Sequence, residues 1–190
     1  MTPISDKSTN LSPAKLRILD AARRLFSVHG VGGTSLQMIA DEVGVSKAAV
    51  YHQYPAKEDI VYAVGEQVNM ALAAITAAAL QENGIRRQRQ FLISRLIELA
   101  VASRQISGAL QHDPHLLRLF REQKPFRKVM DELNAVLLGP APSAEDKVTV
   151  ATMVTGIAGA VMHPLCDDVD SETLKAQLYK LTTKLSRLLN

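Results

Sequence analysis

The sequence predicts an all-α protein, with a small N-terminal three-helix domain followed by a larger helical domain. Apolar residues recur at spacings of three and four after residue 12, which is the period of an amphipathic helix. Helix-capping residues, or Gly and Pro residues that end helices, stand between these segments. The stretch ALAAITAAAL, residues 71–80, is strongly helix-forming because Ala has the highest helix propensity.

The first predicted helix follows a polar segment, residues 1–12, which we expect to be a flexible arm. Ser12 and Pro13 suit the cap and first position of a helix, because Pro lacks an N–H that would be unsatisfied there. Gly30 is expected to close this helix, whose apolar stripe contains Ile18, Leu19, Ala22, Leu25 and Phe26. The short loop to Thr34 requires the helix to pack on the two that follow.

Residues 34–57 predict two short helices joined by a tight turn. Thr34 is the expected N-cap of the first, with Gln37 as its capping-box partner. Gly44 is expected to end that helix, because Gly adopts left-handed backbone without steric cost. Ser46 is the expected cap of the second, which carries small residues on its surface. A short helix braced in this way has the shape that fits the major groove of DNA.

The rest of the chain contains further predicted helices with the same start and stop signals. They span 58–81, 86–111, 114–122 and 125–138, then one that opens at the capping box Ser143–Asp146 and one that begins near Ser171. The helix at 86–111 is expected to bury one face made of Leu92, Leu96, Leu99, Ser103, Ile106 and Leu110.

The last helix has a leucine seam, defined as Leu174, Leu178, Leu181, Leu185 and Leu188. Alternating spacings of four and three form a heptad pattern, which requires an apolar partner. Two interpretations remain open from the pattern alone. The seam packs within its own chain, or it pairs with a second copy as part of a four-helix bundle.

Composition indicates an ordinary cytoplasmic protein. The net charge of +3 and pI near 9.1 permit an anionic partner, but the basic residues are spread along the whole sequence. The single cysteine, Cys166, suits a reducing compartment, and residues 1–12 lack the apolar segment of a secretory signal. The uncharged stretch Val148–Cys166 contains several Thr and Gly residues and Pro164, so it predicts a buried helix rather than a membrane span.

The block from Ile18 to Ile60, ILDAARRLFSVHGVGGTSLQMIADEVGVSKAAVYHQYPAKEDI, strongly resembles the DNA-binding domain of the TetR family of bacterial transcriptional regulators. The matching pieces appear in the family's order, from the Ile-Leu-x-Ala-Ala-x-x-Leu-Phe helix to the Gly-Val-Ser turn and the Lys-Glu pair. Gln53 departs from the pattern, which often has an aromatic or His there, as does Ala56, where a capping residue is common.

The resemblance implies DNA contacts at positions matched one by one. Phosphates are expected to be held by Thr34, Ser35, Ser46, Tyr51, His52 and Lys57, with helix-start N–H groups assisting. Base edges or thymine methyls are expected to be reached by Lys47, Ala48, Ala49 and Gln53. The alternative for Tyr51 is a half-buried packing role, and Tyr54 is expected in the core.

For the larger domain, residues 58–190, the resemblance implies dimerisation and a small-molecule effector. Leu174, Leu178, Leu181 and Leu185 are the expected dimer contacts, and the dimer is expected to bind a two-fold symmetric DNA operator as a repressor. In the implied mechanism, the effector moves the helix at 58–81 and carries the DNA-binding helix out of register. Residues 13–57 are the expected DNA-binding domain.

No enzyme or metal site is predicted, and no cofactor. The pairs His112 with His115, and His163 with Cys166, lack the converging third and fourth ligands that zinc requires. No nucleophile elbow or phosphate loop occurs. Two rivals stay open: a protein-interaction adaptor that has lost DNA binding, and an enzyme built on the same helical body. The effector contacts remain unknown, although the expected pocket region contains Phe91, His115, Phe120, Phe126 and Met130.

Overall fold

The computed structural model describes residues 11–104 and 123–189 as α-helices joined by short connections. Numbered in chain order within these ranges, the helices are α1 (Pro13–Gly33), α2 (Leu36–Val43), α3 (Lys47–Gln53), α4 (Lys57–Ala79), α5 (Ile85–Ala102), α6 (Lys124–Leu138), α7 (Ala144–Ala160) and α8 (Ser171–Ser186), with a 3-10 turn at Pro164–Cys166. The predicted all-α fold is confirmed, and no strand occurs in these ranges. The chain divides into two compact units between Val64 and Gly65, within α4.

The first unit has a core built on the apolar stripe of α1. Four of the five predicted stripe residues are buried, and Leu25 is half-buried. They pack with the inward side chains of the following helices, which include Ile39, Val50 and Ile60. Gly30 was predicted to close α1. It does break the helix, with a φ of +70° that favours glycine, but a further turn continues to Gly33.

α2 begins one residue later than the sequence predicts. Ser35 is its N-cap, and Ser35 Oγ accepts a hydrogen bond from the backbone N–H of Met38 at 3.2 Å. Thr34 is only 2% exposed, and its hydroxyl donates to the Gly30 carbonyl at 2.8 Å. Gln37 bonds to a carboxylate one turn later in α2 rather than closing a capping box. The Thr34 cap was wrong because the threonine hydroxyl is used to satisfy the carbonyl at the break in α1.

The second unit has a separate core that draws on α5 to α8. Its buried residues include Leu92, Ile93, Ile97, Leu133, Leu137, Met153, Ile157, Leu174 and Leu178. α5 buries Leu92, Ile93, Ile97 and Val101, so the predicted face was displaced by about one residue, with Leu96 and Leu99 half-buried at its edge. α5 ends at Ala102, with Ser103 as its C-cap, rather than at residue 111.

α7 starts with the predicted capping box and buries one face. Ser143 Oγ accepts from the Asp146 N–H, and an Asp146 carboxylate oxygen accepts from the Ser143 N–H. Because α7 ends at Ala160, the uncharged stretch does not form one long helix. We define the outer face of α7 as the exposed, uncharged residues Val148, Ala151, Thr152, Thr155, Gly156 and Gly159. The prediction that this helix is buried therefore holds for only one side of it.

α8 begins at Ser171, as predicted, and its N-cap is Asp170. Hydrogen bonds from the backbone and side chain of Thr173 lower the pKa of the Asp170 carboxyl. Because this pKa is depressed in the folded state, the stabilisation from the cap is present above the unfolded pKa. It is lost as the pH falls through the folded pKa.

The structure corrects the leucine seam of α8, which does not form one continuous contact surface. Leu174 and Leu178 are buried in the core of their own unit, and Leu185 packs against that core. Leu181 and Leu188 are 55% and 52% exposed. With 3.6 residues per turn, Leu178 and Leu185 lie on one side of Leu174 around the helix, and Leu181 and Leu188 lie on the other. The first side is the one that continues to the buried Thr182. Intramolecular packing therefore accounts for the first half of the seam, and only Leu181 and Leu188 remain as exposed apolar side chains.

Within the described ranges, α4 is the one helix long and apolar enough to cross a membrane by length and composition, which is weak evidence because core helices pass the same test. Several predictions concern residues that lie outside these ranges. They are residues 1–10 of the arm, the helix end at 105–111, Ile106, Leu110, His112, the helix at 114–122, His115 and Phe120.

Candidate nucleic-acid interface

The turn between α2 and α3 has the geometry that the sequence predicts. Gly44 adopts a left-handed conformation, with φ 75° and ψ 38°. The N–H of Val45 donates to the Ala40 carbonyl at 3.0 Å, and the Gly44 N–H also bonds near the end of α2, so the turn closes on the last carbonyls of the helix. Ser46 then caps α3, its hydroxyl accepting from the Ala49 N–H at 3.2 Å. These bonds fix the direction in which α3 leaves the turn.

α3 has one side in the core and one side in solvent. Val50 is fully buried and anchors the helix. The exposed positions are Ser46, Lys47, Ala48, Ala49, Tyr51 and His52, and Gln53 is half-buried at the edge. Tyr51 is 58% exposed, which excludes the alternative of a half-buried packing residue. The exposed side is flat at its alanines and includes Lys47, and α3 contains no acidic residue.

Contacts from α1 brace the helix pair, and the sequence reasoning missed them. Arg17 Nη2 donates to the Val43 carbonyl at 3.0 Å, at the end of α2. Arg24 Nε pairs with Glu42 Oε1 at 3.0 Å. Arg17 and Arg24 are seven residues apart, so they share one face of α1, and this spacing could have indicated a common role. The acceptors could not be identified before the packing of α1 on α2 was known.

The end of α3 rests on a buried tyrosine. Tyr54 is 6% exposed, as expected for a core residue, and desolvation by burial raises the pKa of its phenol. Lys15 of α1 lies over the Tyr54 ring, 5.5 Å from the centroid, which is a cation–π distance. α3 is therefore held by packing at its far end and by the Gly44 turn at its start.

Two of the predicted contact residues are engaged inside the first unit. Thr34 is buried, as described above. Lys57 Nζ donates to the carbonyls of Val31 and Thr34 at 2.8 and 3.1 Å, which joins the start of α4 to the end of α1. Ser35, by contrast, is exposed at the start of α2, where helix N–H groups favour anions.

We expect Lys57→Met to lower the free energy of unfolding by about 1–3 kcal/mol, because two carbonyls lose a charged donor. Denaturant unfolding of the full chain measures this. Lys47→Met is the matched control, since Lys47 is exposed on α3, and it should change stability by less than about 0.5 kcal/mol. Equal effects of the two substitutions would contradict a structural role for Lys57.

The fold and this surface define a helix-turn-helix protein, in which a short capped helix is presented beside a braced partner helix. Residues 18–64 match the model of the family described as bacterial regulatory proteins, tetR family. This match covers the N-terminal helix-turn-helix domain of the chain.

Characterised relatives share this domain rather than the whole chain. The transcriptional repressor AcnR of Corynebacterium diphtheriae is 32% identical over 78 residues, which is 41% of this chain and 39% of the relative. The transcriptional regulator UidR of Escherichia coli is 31% identical over 61 residues, which is 32% of this chain and 31% of UidR. The chain thus aligns with about two fifths or less of the length of these relatives.

Solved structures match nearly the whole chain in fold. The fatty acid degradation regulator FadR of Bacillus halodurans superposes with a TM-score of 0.72 at 16% identity, covering 94% of this chain and 97% of FadR. A TetR transcription regulator of Haloarcula marismortui superposes with a TM-score of 0.66 at 20% identity, covering 94% of this chain and 99% of the other. At these identities the likeness extends to the fold alone.

Proposed function

We propose that this chain is a DNA-binding transcriptional regulator, most simply a repressor, that reads its operator with α3. The observation that carries the proposal is the exposed side of α3, which is flat, includes a free lysine and lacks acidic residues. Such a face enters a major groove without steric or electrostatic conflict with the phosphates. We propose residues 13–57 as the DNA-binding domain and 58–190 as the regulatory domain.

The proposed contacts fall into two kinds. Ser35, Ser46, Tyr51 and His52 hold phosphates, which positions the domain. Lys47 and Gln53 reach base edges, and Ala48 and Ala49 contact thymine methyls. Thr34 and Lys57 are left out of the side-chain contacts, because the hydroxyl of one and the ammonium of the other are bonded to backbone carbonyls.

We propose that the regulator works as a homodimer on a two-fold symmetric operator. One helix as short as α3 reads few bases, and two copies at a fixed separation double the readout. The proposed contact surface is the outer face of α7 together with Leu181 and Leu188 of α8. Two observations support this surface. Its side chains are exposed and uncharged, and Gly156 and Gly159 have open space where a Cβ would lie, so a second helix can approach α7 closely. Leu174 and Leu178 act from within the chain by holding α8 in place.

We further propose that a small molecule bound by the second unit releases the operator. Two amide oxygens of α4, Gln67 Oε1 and Asn69 Oδ1, are buried with no hydrogen-bond partner among the described residues. Buried polar atoms usually have a partner, and a polar ligand would supply one. Binding that favours one conformation of α4 shifts the population of the DNA-bound state.

Two substitutions on α3 separate base reading from phosphate binding. We expect Lys47→Ala to weaken operator binding by about 5- to 150-fold and to relax preference at one base pair. Tyr51→Phe removes only a hydroxyl, so it should weaken binding to all duplexes by a similar, smaller factor. Fluorescence anisotropy with operator and scrambled duplexes at fixed salt measures both effects.

The control for these variants is Lys180→Ala, which removes an exposed lysine from α8. It should leave DNA affinity within about twofold. If Lys47→Ala and Lys180→Ala have equal effects, α3 does not read bases. An adaptor would retain its partner binding in both α3 variants, and an enzyme would be indicated by turnover that survives them.

A further inference from the structure

A cavity of about 260 Å³ lies in the second unit, between the start of α5 and the end of α8. We define the arginine pocket by its polar lining, which consists of Arg86, Arg89, Gln90, Arg187, Tyr179, Thr183 and Ser186. No acidic side chain is found among the described residues that line it. Three positive charges therefore face one small volume, and none of the described lining residues supplies a carboxylate to balance them.

Arg89 is the most informative of these arginines because it is buried. It is only 6% exposed, and its Nη2 donates to the Leu138 carbonyl at 2.9 Å, at the end of α6. Its Nε is buried with no hydrogen-bond partner among the described residues. A buried guanidinium left with an unused donor is costly, so such groups are normally paired with an anion. The bond to Leu138 explains one donor of Arg89, and no residue in the described ranges forms an ion pair with its guanidinium.

The two outer arginines add positive charge at the mouth. Arg86 and Arg187 are exposed, and neither forms an ion pair with any residue in the described ranges. Arg86 belongs to the first turn of α5, whose N-cap Gly84 supplies no side-chain hydrogen bond. The free N–H groups at such a helix start favour an anion. Arg187 is the C-cap of α8, where the helix dipole favours a positive charge even without a bound anion.

We propose that the arginine pocket binds a small molecule through an oxyanion, either a carboxylate or a phosphate group. Guanidinium groups recognise both by paired, charge-assisted hydrogen bonds. Thr183 and Ser186 add hydroxyls, and Tyr179 is positioned by accepting a hydrogen bond from Gln90 Nε2 at 2.7 Å. The volume lies just below the range of cavities that hold drug-sized molecules, so the ligand is small.

The pocket is separate from the surfaces proposed above. Tyr179, Thr183 and Ser186 lie on one flank of α8, and the exposed Leu181 and Leu188 lie on the other, with the buried Leu178 between them. The proposal concerns binding by the second unit and does not depend on DNA recognition by α3.

Calorimetric titration of the full chain tests this, with inorganic phosphate, succinate and uncharged succinamide as probes at constant ionic strength. We expect saturable binding of phosphate or succinate and none of succinamide. Tighter binding of phosphate assigns a phosphate ester as the ligand class, and tighter binding of succinate assigns a carboxylic acid. Absence of saturable binding for both anions, or equal binding of succinamide, overturns the proposal.

Substitutions of the two exposed arginines test whether the anion binds in this pocket. Arg89 is left unchanged, because replacing a buried arginine is expected to destabilise the fold. The double variant Arg86→Gln with Arg187→Gln should weaken anion binding at least about tenfold. Arg87→Gln is the matched control, because Arg87 is exposed beside Arg86 but does not line this cavity. Retention of full affinity in the double variant overturns the proposal. Operator binding is measured in parallel on the same variants. A chain that binds operator but no anion contradicts the arginine pocket without contradicting the proposed DNA-binding function.

Discussion

Ala49→Glu should abolish specific operator binding while leaving the domain at least as stable as the original. Ala49 is exposed on α3, at the third helical position after the cap Ser46. A glutamate there completes a capping box with Ser46 and lies in the first turn, where negative charge is favoured. The same carboxylate faces the DNA phosphates and replaces the proposed thymine-methyl contact. We expect operator affinity to fall at least about 100-fold, since the loss occurs in both half-sites.

The control for this variant is Ala49→Gln, which has nearly the same shape and also forms a capping box, without the charge. Thermal unfolding should show that both variants are folded. Fluorescence anisotropy should show that the Gln variant binds the operator much more tightly than the Glu variant. If Ala49→Glu binds operator as tightly as the original chain, the exposed side of α3 does not face DNA.

Gly156→Arg should convert the protein to monomers and lower operator affinity at least about 100-fold, because the second half-site contributes through effective concentration. Gly156 lies in the middle of the outer face of α7, and nothing lies within 4 Å of the position its Cβ would take. Within one chain the substitution should stabilise α7 by roughly 0.5–1 kcal/mol, because Gly is a poor helix former. Between two copies, the arginine prevents close approach and places like charges opposite each other.

Ala176→Arg is the matched control, since Ala176 is exposed on α8 and points away from Leu181 and Leu188. Sedimentation across a concentration series should show dimers for the original chain and for this control, and monomers for Gly156→Arg. A Gly156→Arg chain that remains dimeric would contradict the proposed surface on α7.

Local signals in the sequence predicted the parts of the fold that depend on a few neighbouring residues. Gly44 and Ser46 were identified correctly, as was the capping box at Ser143, because each cap is a contact within four residues. The cap of α2 failed because Thr34 and Ser35 are adjacent and both suitable. Which of the two caps α2 depends on the Gly30 carbonyl at the break in α1. The Thr34 hydroxyl donates to that carbonyl, which leaves Ser35 as the cap.

Features set by tertiary packing could not be read from periodicity. The leucine seam shows that α8 needs apolar partners, but the spacing does not say which chain provides them. The same holds for Lys57, whose matched position in the family pattern suggests a phosphate contact. Its ammonium instead donates to two backbone carbonyls, one in α1 and one in the loop that follows α1. The arginine pocket was missed because Arg86 and Arg89 are about a hundred residues from Arg187, and only the packing of α5 on α8 brings them together.

Selection of bound duplexes from a random pool, at stated salt concentration, tests the central claim most directly. A pair of α3 helices held by a homodimer predicts a two-fold symmetric consensus, with half-site centres separated by about one helical turn of DNA or a multiple of it. Recovery of no consensus, or of a single asymmetric site bound by one chain, would contradict the account.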